Sequence, residues 1–281
     1  MIPSAFEYTR PSTMEDAVAA LRQAGEDAKI LAGGQSLIPV LRLRLAAPSV
    51  LIDLGEVESL RGVREDGDQL VIGAMTTHDE LTRDHLIREH LPLLAEAAAT
   101  IGDRQVRHLG TFGGSLAHAD PAGDLPAVAL ALDAELLVTG PAGNRTVAAA
   151  DFFVDYLTTV LGPDEILTEV RLPKLTGWGC HYEKFNRVAQ AWAIVGVAAA
   201  VRRENGSVAE ARVALTNMGS VPVRARSVEE ALAGQSASLE SYAAAAAHAP
   251  DGTQPSDDVS ASAEYRTHLA SVLTRRALAA C

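Results

Sequence analysis

Of all the features of this sequence, two glycine pairs in nearly the same context most constrain the fold that the chain can adopt. The first lies in residues 32–37, Ala-Gly-Gly-Gln-Ser-Leu, and the second in residues 111–116, Thr-Phe-Gly-Gly-Ser-Leu. We name these segments the first and second glycine corners. A glycine pair permits positive φ and lets the backbone approach a ligand closely. Successive backbone N–H groups in such a corner form an anion site, and a following helix adds its dipole.

A single glycine pair is usually an ordinary turn. Two corners of almost the same sequence favour a shared role. A stretch with helical character follows each of them. We therefore hypothesise that both corners face one diphosphate. The dinucleotide fingerprint G-x-G-x-x-G and the P-loop pattern are absent from the sequence, so a Rossmann site fits poorly.

The composition indicates a globular protein that does not bind nucleic acid. The 281 residues are enough for two domains, and the 48% of apolar residues are enough for a packed core. The net charge of −12 argues against a nucleic-acid partner, which usually requires a basic patch.

The cysteine content indicates a reducing compartment. Cys180 and Cys281 form no disulfide framework, and they are too few for a thiolate-held iron–sulfur cluster, which needs four. The N-terminal residues lack the regions of a signal peptide, and the longest apolar run, residues 192–201, is too short to span a bilayer. We expect a cytoplasmic protein without a transmembrane segment.

The pattern of strands and helices predicts an α+β fold, since βα alternation is not regular. The first 55 residues are expected to form a β-α-β lobe, in which Thr13 caps a helix that ends at Gly25. The predicted elements of this lobe are strands at 6–9, 29–32 and 50–54, a helix at 14–24, and a segment at 36–45 that suits either a helix or a strand.

Residues 56–176 are predicted to form a second lobe, in which Thr77 and Glu80 form a capping box and Asp124 caps a helix. Its predicted elements are hairpins at 60–64 with 69–74 and at 135–139 with 145–147, helices from Thr77, from Pro92 and at 125–132, and a strand at 165–172.

A domain boundary is expected near residue 176, and residues 177–281 are predicted to form a smaller α+β domain. Asn205-Gly206 predicts a tight hairpin turn, and Ser227 is expected to cap a helix. The predicted elements are three antiparallel strands at 181–186, 193–203 and 208–217, helices at 228–232, 239–249 and 264–278, and a loop at 251–262.

The segment from His118 to Asp124 carries the polar side chains nearest the second corner. His118 and Asp120 do not share a helical face and no second histidine has ligand spacing, which argues against a metal site. Two interpretations stay open with equal weight. In one, Asp124 caps a helix and His118 is a polar packing residue. In the other, Asp120 or Asp124 accepts hydrogen bonds from ribose or ribityl hydroxyls.

Three further residues allow both a structural and a ligand-binding interpretation. Lys29 and Lys184 are either solvated strand residues or contacts to a ligand, and Trp192 either packs in the core or stacks on a planar ring. No serine or cysteine nucleophile with a paired base is visible, so hydrolase chemistry is not supported and no catalytic residue is assigned.

The motifs resemble the two signatures of the FAD-binding medium subunit of molybdenum hydroxylases, the carbon monoxide dehydrogenase and xanthine dehydrogenase family. The resemblance rests on residues 29–39, on residues 111–124 and on Lys184-Phe185-Asn186-Arg187, and it covers essentially the whole chain. It implies a vanillyl-alcohol-oxidase-like (PCMH-type) FAD-binding domain of two lobes, residues 1–176, followed by a C-terminal domain, residues 177–281.

The resemblance also implies which residues bind FAD. The two corners would hold the diphosphate, and Asp124 would hydrogen-bond the flavin's sugar-alcohol chain. Lys184 would lie near the flavin ring or its tail. The full predicted set is Lys29, Ala32, Gly33, Gly34, Gln35, Ser36, Leu37, Ile101, Gly102, Thr111, Phe112, Gly113, Gly114, Ser115, His118, Ala119, Asp120, Asp124, Leu167, Lys184 and Trp192.

Two positions depart from the family pattern. Relatives commonly have an acidic residue where this chain has Ala191, next to the aromatic position occupied by Trp192, and they commonly have isoleucine where it has Phe112. The first departure affects the surroundings of the flavin ring, whereas the second is mild.

The function implied is electron transfer within a heterotrimer that dimerises. A large subunit would carry the molybdenum cofactor and a small subunit two [2Fe–2S] clusters, and FAD on this chain would pass the electrons to an external acceptor. The low cysteine content agrees with a chain that carries only the flavin. The alternative is a free-standing FAD-dependent oxidoreductase with its own substrate pocket.

Overall fold

The first lobe is a small parallel sheet covered by one helix. In a computed structural model that describes residues 2–281, three strands lie in the order β1-β3-β2, and both pairings are parallel. The elements of this lobe are β1 (Glu7–Thr9), α1 (Met14–Ala24), β2 (Ala28–Leu31), α2 (Leu37–Arg42) and β3 (Val50–Asp53).

Local capping determines where helix α1 begins and ends. The Thr13 side chain accepts a hydrogen bond from the backbone N–H of Asp16, and Gly25 ends the helix with φ of 69°. Ala17 and Leu21 face Ile52 in the core of this lobe. The ambiguous segment at 36–45 is helical over α2, and Arg44, with φ of 58°, breaks any continuation as a strand.

The second lobe combines an antiparallel sheet with a set of short helices. Its five strands lie in the order β4-β5-β10-β6-β7, and a separate pair is formed by β8 and β9. Its elements are β4 (Val63–Asp66), β5 (Gln69–Gly73), α3 (His78–Arg83), α4 (His85–His90), α5 (Pro92–Ala99), α6 (Arg104–Leu109), α7 (Phe112–His118), α8 (Asp124–Ala131), β6 (Glu135–Gly140), β7 (Gly143–Ala148), α9 (Ala149–Phe152), β8 (Phe153–Asp155), β9 (Thr158–Thr159) and β10 (Ile166–Pro173).

The C-terminal part contains a sheet of four strands, not three. The three predicted strands are present, and the two-residue strand β14 extends the sheet along β13. A strand this short shows no alternation, so its sequence carries no signal. The elements are β11 (Gly179–Phe185), β12 (Val195–Glu204), β13 (Ser207–Thr216), β14 (Val223–Arg224), α10 (Arg226–Leu232), α11 (Leu239–Ala246) and α12 (Ala263–Ala280).

The prediction that Ser227 caps a helix is wrong. Helix α10 begins at Arg226, two residues before the predicted start at Val228, and has no side-chain cap. Glu229, inside this helix, accepts a hydrogen bond from the N–H of Val213 and pairs with Arg224 instead. The contact with the neighbouring sheet therefore decides where α10 starts.

Strand β12 is buried on both faces and joins the two parts of the molecule. Ala198 and Ala200 pack into the core of the second lobe, whereas Val197 and Val201 pack under α12. A strand covered on both faces shows a continuous apolar run without alternation. This explains why the longest apolar run of the sequence lies here.

His78, the first residue of α3, is buried beneath the second glycine corner. Its ring lies against Gly110, and its backbone N–H donates to the Gly110 carbonyl over 2.9 Å. Its Nδ1 has no hydrogen-bond partner within residues 2–281. Burial, with a smaller contribution from the Arg107 guanidinium, lowers the pKa of His78 from 6.5 to about 4.

We expect His78 to destabilise the chain in acid. Between pH 6.5 and 4 the unfolded chain binds a proton that folded His78 excludes, so stability falls as the pH drops through this window. From about pH 7.5 to about pH 5, the free energy of unfolding falls by about 2 kcal/mol. Urea unfolding of the chain and of His78→Gln should show a smaller pH dependence in the variant.

His248→Gln is the matched control for this measurement, because His248 is half exposed and pairs with Asp251 on the surface. Equal pH dependence in the wild-type chain and in His78→Gln would contradict the effect attributed to His78.

Candidate functional site

The fold brings the two glycine corners into contact. A Cβ added at Gly33 would lie 2.1 Å from the carbonyl oxygen of Leu109 and 2.7 Å from the Cα of Gly110. A Cβ added at Gly114 would lie 3.3 Å from the Cβ of Ala32. The two segments, 80 positions apart in sequence, therefore form one continuous surface between the lobes.

The two corners differ in conformation. Gly34 has φ of 72°, as expected for a corner that requires glycine. Gly113 and Gly114 have no positive φ and lie in the first turn of α7, so the expectation of a second positive-φ corner is wrong. Glycine is required there for close approach, because a Cβ at Gly113 would lie 2.8 Å from the Cα of Ala74.

The corners also differ in their free hydrogen-bond donors. At the second corner, the N–H groups of residues 112–115 all donate within the protein, that of Gly114 to the Thr111 hydroxyl over 3.2 Å. At the first corner, the N–H groups of residues 33–36 donate to no acceptor in residues 2–281. Backbone donors for an anion are therefore concentrated at the first corner.

An apolar cavity of about 70 Å³ adjoins both corners. Leu167 reaches its wall because a β-bulge at Thr168 interrupts the pairing of β10 with β6 and changes the direction of the side chains. The lining includes four predicted site residues, Ala32, Gly113, Gly114 and Leu167.

A larger cleft of about 1140 Å³ lies elsewhere between the lobes and contains no predicted site residue. Its charged side chains are mainly carboxylates, from Glu15, Glu56, Glu58 and Glu169, with Arg61 as the cation. Because carboxylates repel phosphate groups, this cleft is unsuited to a diphosphate.

Asp124 does not cap helix α8, so that interpretation is wrong. The helix begins at Asp124 after Gly123, and the carboxylate, 3% exposed, turns into the interior. Its Oδ2 accepts from the Lys184 ammonium over 2.8 Å, and its Oδ1 accepts from the Tyr182 hydroxyl over 2.7 Å. The other interpretation, hydrogen bonding to a sugar hydroxyl, stays a prediction.

Charge and burial oppose each other at Asp124. Burial raises its pKa, while the Lys184 ammonium and the Tyr182 hydroxyl counteract that rise. The Lys184 ammonium also donates to the Thr100 carbonyl over 3.2 Å, which leaves one of its three N–H groups without a partner in residues 2–281. The site therefore holds a cation in a fixed position.

His118 and Asp120 approach each other because Ala119 ends α7 in the left-handed conformation, with φ of 51°. His118 Nε2 lies 3.9 Å from Asp120 Oδ2, while Asp120 Oδ1 accepts from the N–H of Ala122. In the part of the chain described, no group of three metal-ligating side chains could hold an ion.

Ile101 and Gly102 directly precede Asp103, and Trp192 follows Gln190 by two positions. Gln190 donates to Asp103 over 2.9 Å and so ties the segment before Trp192 to the segment after Gly102. The Trp192 side chain is exposed, so the core-packing interpretation is wrong. Lys29 is exposed on β2 and makes no ion pair within residues 2–281.

Tyr182 and Thr216 complete the environment of Asp124 and were not among the predicted site residues. The Thr216 hydroxyl lies 3.2 Å from the Tyr182 hydroxyl, and both residues are buried. A signal existed for Tyr182, because it precedes Lys184 by two positions on a strand and so lies on the same face. No local signal exists for Thr216, which lies two strands away.

The chain belongs to a family of FAD-binding oxidoreductase subunits. Residues 4–175 match the model described as the FAD binding domain in molybdopterin dehydrogenase, and residues 180–281 match the CO dehydrogenase flavoprotein C-terminal domain. The resemblance found in the sequence is thus confirmed, as are the α+β fold class and FAD as the cofactor of the domain.

Individual relatives are similar over nearly their full length. The carbon monoxide dehydrogenase medium chain of Hydrogenophaga pseudoflava is 42% identical over 99% of this chain and 97% of the relative. A solved carbon monoxide dehydrogenase from that organism, lacking the Mo-pyranopterin moiety, superposes with a TM-score of 0.97 at 44% identity, covering 100% of this chain and 98% of the other.

A relative with a different named substrate shares the fold. Quinoline 2-oxidoreductase from Pseudomonas putida 86 superposes with a TM-score of 0.95 at 32% identity, covering 99% of this chain and 97% of the other. No helix of residues 2–281 combines the length and hydropathy needed to cross a membrane.

Gly114→Val should weaken FAD binding by at least about tenfold, or about 1.4 kcal/mol of binding free energy, because the added side chain would push the two corners apart. A Cβ alone would lie 2.6 Å from the Thr111 hydroxyl oxygen. The measurement is the FAD content of the purified chain, with Gly67→Asn as control. Gly67 lies in a hairpin turn where an added Cβ meets nothing within 4 Å. Normal FAD content in Gly114→Val would contradict the assignment.

Proposed function

We propose that this chain is the FAD-binding medium subunit of a multi-subunit molybdenum hydroxylase. The single observation that carries the proposal is the contact between the two glycine corners beside the apolar cavity that Leu167 lines. When bound, FAD supplies the redox chemistry, namely acceptance of electrons from [2Fe–2S] clusters on a partner subunit and their transfer to an external acceptor.

The residues at the corners fit a flavin dinucleotide. The free N–H groups of residues 33–36 would donate to the diphosphate, and the Ser115 hydroxyl, which has no hydrogen-bond partner in residues 2–281, would add a donor. Gly33, Gly113 and Gly114 keep the backbone surface free of side chains. The cavity at Leu167 would receive a flat apolar part of the cofactor.

The remaining predicted residues would surround the other end of the cofactor. Asp124 and Lys184 supply a carboxylate and a fixed cation, and the exposed Trp192 would lie beside the flavin ring. Lys29 would add positive charge from β2, next to the first corner. Ile101, Gly102, His118, Ala119 and Asp120 would line the same cleft.

We further propose that the complex contains a large molybdenum-cofactor subunit and a small [2Fe–2S] subunit, assembled as a dimer of heterotrimers. The names of relatives support the presence of several subunits, since they include medium chains of carbon monoxide dehydrogenase and a nicotine 6-hydroxylase medium subunit. A domain boundary near residue 176 accords with the ranges of the two family models. The cytoplasm is the proposed compartment, because Cys180 and Cys281 are free thiols.

Purification of the chain from its native cells should yield a complex. We expect a large chain with molybdenum and a small chain with iron–sulfur clusters to elute together with this chain and its FAD, as measured by mass spectrometry and cofactor analysis. A chain that elutes alone and turns over substrate would instead be a free-standing flavoenzyme. A colourless preparation would contradict FAD binding altogether.

FAD should quench the fluorescence of Trp192. The sequence has two tryptophans, Trp178 and Trp192. The guanidinium carbons of Arg202 and Arg212 lie 5.8 and 4.9 Å from the centre of the Trp178 ring. Trp192→Phe should retain FAD, because phenylalanine can also stack on a planar ring. It should lose most of the quenching when FAD is titrated, because the quenched tryptophan is absent. Trp178→Phe is the matched control and should keep the quenching. If the two variants lose it equally, Trp192 does not lie beside the flavin.

A further inference from the structure

The Tyr182 side chain lies where the second lobe meets the C-terminal sheet. Its ring packs in the core of the second lobe although the residue belongs to β11, and the residue is 4% exposed. Its hydroxyl lies 2.7 Å from Asp124 Oδ1 and 3.2 Å from Thr216 Oγ1. One hydroxyl therefore connects α8 to two strands of the C-terminal sheet.

The direction of the hydrogen bonds follows from the chemistry of the groups. An ionised carboxylate only accepts, so the Tyr182 hydroxyl donates to Asp124. Burial, with a smaller contribution from the charge of Asp124, raises the pKa of Tyr182 well above its usual value, so the hydroxyl keeps its proton. The Tyr182 oxygen then accepts from the Thr216 hydroxyl.

The strand beside β11 is built to leave room for this hydroxyl. Gly196 pairs with Lys184 across the ladder, and a Cβ at Gly196 would lie 2.5 Å from the Tyr182 hydroxyl oxygen. Gly196 has no positive φ, so its conformation does not require glycine. The space above Gly196 is occupied by the polar end of Tyr182.

Tyr182 and Lys184 together fix the orientation of the Asp124 carboxylate. One donor binds each oxygen, and neither oxygen is free to turn away. Lys184 in turn has two of its N–H groups bound, by Asp124 and by the carbonyl of Thr100, the residue before Ile101. A displacement of the carboxylate would therefore displace the ammonium.

We propose that Tyr182 is a positioning residue for the FAD site, holding the Asp124 carboxylate and, through it, the Lys184 ammonium in the orientation that binds the cofactor. The proposal rests on the proposed function of this chain. Tyr182 itself touches no cofactor in this proposal and acts only through Asp124.

The proposal predicts a change in how FAD affinity depends on pH. Within residues 2–281, the groups that face Asp124 are Lys184 and Tyr182 on β11, with Thr216 on β13 behind Tyr182 and the Thr100 carbonyl beside Lys184. Tyr182→Phe removes one donor from the ionised carboxylate, so the pKa of Asp124 rises. Protonation of Asp124 releases Lys184, and FAD affinity is then lost at a higher pH than in the wild-type chain.

The test is an FAD titration of the full chain, followed by flavin fluorescence, from about pH 5.5 to about pH 8.5. We expect the acid loss of FAD affinity to begin at a higher pH in Tyr182→Phe than in the wild-type chain, since a hydrogen bond to a charged group is removed. At the acid end the variant should bind FAD about tenfold more weakly, and at the alkaline end it should approach the wild-type chain.

Tyr242→Phe is the matched control. Tyr242 is also 4% exposed, but its hydroxyl accepts from Arg203 Nε over 3.2 Å on the other side of the C-terminal sheet. Its pH profile should coincide with that of the wild-type chain. Thr216→Val, which keeps the shape of the side chain and removes the donor to Tyr182, should shift the profile upward by less than Tyr182→Phe.

The outcomes separate this proposal from the proposed function. If the wild-type chain binds no FAD, the proposed function fails and this proposal falls with it. If the wild-type chain binds FAD and both Tyr182→Phe and Thr216→Val show the wild-type pH profile, Tyr182 has no positioning role. The same conclusion follows if Tyr182→Phe and Tyr242→Phe weaken FAD binding equally at every pH. If Tyr182→Phe does not fold, the shift in Thr216→Val decides.

Discussion

The architecture depends on one close contact between backbone segments. Gly33 packs against the backbone of Leu109 and Gly110 so tightly that a Cβ has no room, and this contact lies where the first lobe meets the second. Backbone atoms can approach this closely only where no Cβ intervenes. The free N–H groups of residues 33–36 and the cavity at Leu167 both lie beside this contact, so the site exists only when the lobes are docked.

The second connection in the molecule is polar and buried. The pair of Asp124 and Lys184 crosses from α8 to β11, and desolvation of two such charges is costly unless their hydrogen bonds are satisfied. Tyr182 and the Thr100 carbonyl supply the missing partners. A protein that needed only stability would gain more from apolar packing at this position, which favours a role for the pair in holding a ligand.

The apolar surroundings of this pair come from one strand that serves two cores. Strand β12 presents Ala198 and Ala200 to the second lobe and Val197 and Val201 to α12. Small side chains on the side of the second lobe let α8, which is buried along its whole length, lie close to the sheet. The position of Asp124 relative to β11 therefore follows from the packing of α8 on β12.

Features that depend on neighbouring residues were determined by the sequence itself. The Thr13 cap and its Gly25 stop, the capping box of Thr77 and Glu80, and the turn at Asn205-Gly206 need only residues within a few positions, and all are found as predicted. The two glycine corners and their family resemblance were also visible in the sequence. Each of these signals is local, and at these positions no distant partner overrides it.

The tertiary structure alone decided the rest. Asp124 lies in a sequence context typical of a helix cap, yet its carboxylate points inward. The Lys184 ammonium and the Tyr182 hydroxyl, some sixty positions away, are stronger partners than the backbone N–H groups in the first turn of α8. Gly113 reads as a turn residue, yet it lies in the first turn of α7, where Ala74 leaves no room for a Cβ. Sequence separation hides such partners, since only the packed chain places them within hydrogen-bond or van der Waals distance.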